Sequence, residues 1–286
     1  MSERERLLKL ATYASVGVAF GLIALKTGVW MLSGSVSILA SLIDSLMDSA
    51  ASIINLFAVR YALKPADREH RFGHGKAEAL AGLAQSAFIS GSAVLVLLQG
   101  IERLLAPQPL GATGLGIAVM VLSIIATLGL LAVQRHVIAR TGSTAINADA
   151  LHYRSDLLLN ASVILALVLA AYGIQRADAF MGLGIAIYIG YSAVRIGLDA
   201  VQILMDHELP DDVRAQALAL ARGVPGVVDV HDFRSRQSGQ HWFMQMHVEI
   251  PGQMPLAEAH ALGEAVRMEL EARFPQVDVL IHTDPV

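Results

Sequence analysis

Asp44 and Asp48 stand four residues apart in SILASLIDSLMDSAASIINLF, a stretch otherwise apolar enough to cross a bilayer. His152 and Asp156 repeat that spacing in a second apolar stretch, ADALHYRSDLLLNASVILALVLAAYG. Four residues is about one helical turn, so each pair shares one helix face. Ionisable groups at membrane depth are expensive to keep and mark ion paths or proton relays. Three carboxylates and one imidazole also suit a divalent metal with N and O ligands. Two acids one turn apart repel when both are ionised. A cation relieves that repulsion and expels protons, so metal and H⁺ compete for the same atoms. The structural alternative pairs each carboxylate with a basic residue; Lys26 and Arg154 lie in or near the spans and could serve. Asn147 and Asp149, shortly before His152, either line the same path or cap a helix end.

Two further clusters carry ligand chemistry. Asp67, His70 and His74 fall in the polar connection KPADREHRFGHGK, and D-x₂-H-x₃-H can supply three ligands from a short loop. A solvated charged loop is the plain alternative, and Arg68 and Arg71 inside the cluster favour it. Near the C-terminus, strand alternation puts His231, His247, His282 and Asp284 on the sheet face opposite the helices, with His260 on the helix between. His260 should not easily reach that outer face of its own sheet; a second subunit could supply it.

The elements that must position these residues follow from hydropathy. The chain has 286 residues, 55% of them hydrophobic, with mean hydropathy +0.55. Six apolar stretches of spanning length lie at about 10–32, 38–63, 79–105, 115–138, 145–174 and 180–204. Turn-rich segments at 33–35, 64–76, 106–114, 139–144 and 175–178 separate them. Arg4, Arg6 and Lys9, then Lys64, Arg68, Arg71 and Lys76, then Arg135 and Arg140 put the basic excess on one side. The positive-inside rule makes that side, and both termini, cytoplasmic. The N-terminus reads as an uncleaved first span. Cysteine is absent, so thiolate ligation is excluded. No basic patch points to nucleic acid.

From Asp206 onward acids outnumber bases about two to one, and the pattern changes. A helix at 211–223, strands at 227–235 and 241–250, a helix at 256–274 and a strand at 277–284 give αββαβ, with helices on one sheet face. The expected fold is therefore a six-helix, all-α transmembrane bundle, 1–206, plus a cytoplasmic α+β domain of ferredoxin-like type, 207–286. That second domain would bind metal and dimerise.

These motifs resemble the cation diffusion facilitator family, and within it the bacterial YiiP-type (ferrous-iron efflux-like) subgroup. GSVSILASLIDSLMDSAAS, PADREHRFGHGKAEALAGLAQS, ADALHYRSD and VHDFRSRQSG carry the likeness, which covers nearly the whole chain. The resemblance implies a transport site at Asp44, Asp48, His152 and Asp156, and a loop site at Asp67, His70 and His74. It implies a binuclear tail site at His231, His247, His260, His282 and Asp284, with one histidine crossing a homodimer. It also implies a dimer charge pair, Lys76 with Asp206, and a hydrophobic gate at Leu151. The implied activity is exchange of cytoplasmic Zn²⁺, or Cd²⁺ and Fe²⁺, for protons in a bacterial inner (plasma) membrane. Three rivals are kept: an intramembrane metal-dependent hydrolase, which lacks an HExxH signature, a membrane-bound metal sensor, and a channel.

Overall fold

The computed structural model describes residues 3–33, 36–105, 114–171 and 177–286. The turn segments expected at 33–35, 106–114 and 175–178 fall wholly or partly outside those residues. Six long helices come first: α1 (Glu3–Ser33), α2 (Val36–Ala62), α3 (Lys76–Leu105), α4 (Gly114–Thr141), α5 (Thr144–Ala171) and α6 (Ala177–Leu204). At 1.5 Å per residue, a helix of 28 residues is about 42 Å long, more than a hydrocarbon core needs. Five of the six are long and apolar enough to cross a membrane over their described residues. The remaining long helix, α5, has comparable length and carries Asp149, His152, Arg154 and Asp156 in its first half.

Local chemistry sets the tightest connection. Gly142 takes the left-handed conformation, φ +61°, and its N–H reaches Ile138 O at 2.8 Å, which ends α4. Ser143 then accepts the Ile146 N–H on its Oγ at 3.2 Å and starts α5. The two helices pack as antiparallel neighbours as a result. One buried patch gathers Leu8, Ala11, Val59, Val137, Ala145 and Ile146 from α1, α2, α4 and α5. Another gathers Ile89, Leu151, Ile189 and Ile196, with small alanines between, from α3, α5 and α6. Large apolar residues such as Ile125 and Leu198 point outward. Exposed apolar side chains on a spanning helix find lipid, not water, as their solvent.

The chain divides by its contacts into two compact units, 1–63 with 77–201, and 64–76 with 202–286. The second unit contains α7 (Asp211–Arg222), β1 (Asp229–Ser238), β2 (His241–Ile250), α8 (Leu256–Arg273) and β3 (Val277–Pro285). The sheet order is β1-β2-β3, with β1 antiparallel and β3 parallel to β2. The αββαβ order is as expected. Met244, Met246, Val248 and Ile250 of β2 are buried with Ala217, Ala221, Val266 and Leu270 of the two helices. Both helices therefore cover one face, and the other stays open.

Simple alternation fails in β1. It would put Phe233 beside His231 on the open face and turn Arg234 inward. A bulge between His231 and Arg234 adds one residue, with Asp232 at φ +45°. Phe233 and Ser235 are then buried while His231, Arg234 and Arg236 all face outward. The β1–β2 hairpin turns through Gly239 and Gln240, with Gly239 at φ +59°. A glycine in the first turn position is the arrangement of a type II′ hairpin.

Candidate metal centres

Within the membrane-spanning helices, His152 Nε2 lies 2.9 Å from Asp48 Oδ1 and 3.7 Å from Asp156 Oδ2. One ligand atom from each of the three lies within 4.8 Å of the others. His152 is 7% exposed, and its ring meets Phe88 and Tyr153 edge-on at 6.4 and 5.7 Å. The helical turn accounts for the His152–Asp156 approach; packing of α2 against α5 brings in Asp48. Asp44 shares α2 with Asp48, and its side chain lies outside the described ones. Leu151, next to His152, is 2% exposed and sits in the apolar patch shared with α3 and α6.

Asp149 is neither a helix cap nor part of that group. It is fully buried and accepts hydrogen bonds from Ser15 at 2.6 Å, Gln134 at 2.7 Å and Gln85 at 3.3 Å. It therefore ties α5 to α1, α4 and α3. Tyr153 adds α2 through a 2.9 Å hydrogen bond with Ser52. Sequence spacing singles out Asp149 and says nothing of these partners, because each comes from a different helix.

In the loop, Asp67 Oδ2 lies 3.2 Å from His74 Nε2, and Asp67 Oδ1 lies 3.6 Å from His70 Nδ1. The two imidazole centroids are 4.6 Å apart. Asp67 Oδ1 also accepts the backbone N–H groups of His70 and Glu69 at 2.7 and 2.9 Å. The His70 N–H, foremost, holds this carboxyl below the usual range. A tight turn thus aims an ionised carboxylate at two imidazoles. Lys76 closes the loop with a 2.9 Å ion pair to Asp206 Oδ1, and Arg236 approaches the same oxygen at 3.4 Å. The Arg236 guanidinium also lies 4.7 Å from the ring centroids of both Phe72 and Phe243. Gly75 packs directly on the β1–β2 turn: a Cβ there would stand 2.2 Å from Ser238 O.

On the open sheet face the register aligns His231 with His247, and His247 with His282. Asp284 uses both oxygens. Its Oδ2 lies 2.8 Å from His247 Nδ1 and 3.3 Å from His231 Nε2, and its Oδ1 lies 3.2 Å from His282 Nε2. The His247 hydrogen bond is the main reason its carboxyl stays below the ordinary range. Glu249 and Asp232 join the edge, 3.3 Å from His231 and 3.8 Å from His247. Glu249 is two residues past His247 on the same strand face, so alternation places it; Asp232 arrives only through the bulge. His260 stands exposed on α8, which packs on the opposite sheet face, and it does not join this group among the described residues.

Residues 12–205 match the cation efflux transmembrane domain, and residues 209–286 match the cation efflux protein cytoplasmic domain. The chain belongs to the cation efflux family. Two similar curated relatives are the cation-efflux pump FieF of Yersinia pestis (strain Pestoides F) and that of Yersinia pseudotuberculosis serotype O:3 (strain YPIII). Each is 51% identical over 280 residues, covering 98% of this chain and 93% of the relative. Among solved structures, the chain "MamM-CTD 215-293" is 22% identical, with TM-score 0.26, covering 27% of this chain and 98% of that one. Family membership agrees with six long helices followed by a small α+β unit.

Proposed function

We propose that this protein exports divalent metal cations from the cytoplasm in exchange for protons, as a homodimer in a bacterial inner membrane with both termini cytoplasmic. The observation that carries the reading is His152 Nε2 standing 2.9 and 3.7 Å from two carboxylates inside apolar helices. The pump names of its 51%-identical relatives support efflux as the direction. Asp44, Asp48, His152 and Asp156 are the transport site, and Leu151 is its gate. A bound cation takes the place of protons on these groups, so one site serves two cargoes in turn. Residues 1–206 form the membrane domain and 207–286 the cytoplasmic one.

The N and O donors suit Zn²⁺ best, with Cd²⁺ and Fe²⁺ as further cargo. His231, His247, His282 and Asp284, completed by His260 of a second copy, bind regulatory metal and tighten the dimer. The Lys76–Asp206 pair links the parts of that dimer, and the loop set Asp67, His70 and His74 loads metal beside it. The protein is a carrier and not an enzyme.

Reconstituted vesicles with a pH dye inside test this. A Zn²⁺ gradient should drive proton movement the opposite way, and Asp48→Ala or Asp156→Ala should abolish both fluxes. Full exchange in both variants sinks the site assignment. Metal flux without proton movement points to a channel. Metal-induced change in the tail with no flux at all points to a sensor.

A further inference from the structure

Lys26 has no task in the scheme above. It lies in α1 and is 9% exposed. Its ammonium donates to Ser45 Oγ at 2.6 Å and to the Ser41 carbonyl at 3.1 Å, both on α2. Ser41 and Ser45 are one turn apart, and Asp48 follows three residues later, on the same side of that helix. The ammonium is therefore displaced from Asp48 toward the start of α2, which is the end where α1 and α2 connect.

A cavity of about 170 Å³ joins these groups. Lys26, Ser45 and Asp48 line it together with Asp156 and Asn160 of α5 and Ser123 of α4. Asn160 lies one turn beyond Asp156, toward the same end. Ser123 is 5% exposed, and its Oγ has no hydrogen-bond partner among the described residues. A buried hydroxyl facing a polar cavity is a place for water or a hydrated ion. Keeping an ammonium at this depth is expensive, and methionine would fill the volume without that penalty. A charge retained in a cavity that two carboxylates also line acts on whatever cation passes.

We propose that Lys26 is a fixed positive charge on the release side of the transport site. It weakens cation binding from the α1–α2 end, speeds release toward that end and opposes return. The inference rests on Asp48, His152 and Asp156 being the transport site. The cytoplasmic termini of the proposed topology make the α1–α2 end the outer one.

The test uses the full chain in oriented proteoliposomes, with Zn²⁺ as probe, and in detergent for equilibrium Zn²⁺ binding. Lys26→Met and Lys26→Gln should bind Zn²⁺ about tenfold more tightly, a shift of about 1.4 kcal/mol. Zn²⁺ on the outer side should inhibit their export at about tenfold lower concentration. Lys26→Arg keeps the charge and should return that inhibitory concentration toward the wild-type value. A merely structural lysine would lower flux in both neutral variants without moving either concentration, and that result overturns the proposal. So do neutral variants indistinguishable from wild type. Asp48→Ala separates the two readings. If it keeps wild-type flux and Zn²⁺ binding, the transport-site reading fails. If it loses both while the Lys26 variants show no shift, only the inference about Lys26 fails.

Discussion

Asp284 gives each carboxylate oxygen to different imidazoles, so it is the side chain that makes one centre out of three strands. Its pKa is depressed, so its contribution is present above the ordinary value of 3.8 and lost as pH falls through the lower folded value. The carboxylate is thus already ionised wherever imidazoles in general titrate. Asp284→Asn should weaken Zn²⁺ binding to the tail by at least the roughly 10–100-fold that losing a supporting partner costs. Calorimetric titration at neutral pH measures it. Asp149 illustrates a different role. Asp149→Ala removes an acceptor shared by Ser15, Gln85 and Gln134. Ser15 keeps the Ala11 carbonyl at 3.1 Å and Gln134 keeps Ser15 Oγ at 3.0 Å, so the cost falls mainly on Gln85, at about 1–3 kcal/mol for a buried group left unpaired. The expected result is a lower melting temperature in detergent, with Asp149→Asn intermediate. The spacing of His152 and Asp156 made their approach legible beforehand. The arrival of Asp48 from α2, and the partners of Asp149, depend on helix packing that no local spacing encodes.

At the scale of elements, β2 is legible because its alternation runs unbroken from Met244 to Ile250, with Phe243 the one apolar residue on the polar face, and the helix cover follows from it. β1 was not, because one added residue at Asp232 reverses the alternation, and only the register reveals where. The ligand spacing of the loop is legible in the sequence, but its hold on the hairpin is not, because Gly75 and Gly239 meet there without side chains. Gly75→Ala should force a methyl against the Ser238 carbonyl and separate loop from turn. Overpacking of this kind costs about 1–3 kcal/mol. Faster amide hydrogen exchange across 64–76, with β2 unchanged, is the expected signature. Arg236→Ala should loosen the same loop by removing the cation between Phe72 and Phe243. A protection pattern identical to wild type in both variants would show that the loop is held by something else.

For the whole molecule, contacts group the 64–76 connection with the C-terminal unit although it is covalently part of the helical region. Composition alone drew the border near Asp206 and could not see that grouping, because the loop is polar for its own reasons. Burial disfavours ionising Asp206, but the hydrogen bond and charge of Lys76, with Arg236, outweigh it and leave the carboxyl below 3.8. The pairing should hold above that pH and fade as acid carries the solution through the lower folded value. For so exposed a pair the share is about 0.2–1 kcal/mol, and Asp206→Asn should show it as a smaller acid dependence of unfolding. The row of imidazoles has a wider effect. Neighbouring strands stand about 4.7–4.9 Å apart, whereas two imidazole nitrogens on one tetrahedral ion stand only about 3.4 Å apart. The His247–His282 centroids stand 4.6 Å apart, just inside the strand spacing, and the His231–His247 centroids 5.3 Å, just outside it. The rungs of the backbone ladder, more than any flexible arm, then govern which ionic radius is comfortable. A change that loosens the outer strand would retune which metal is preferred while leaving every coordinating atom in place.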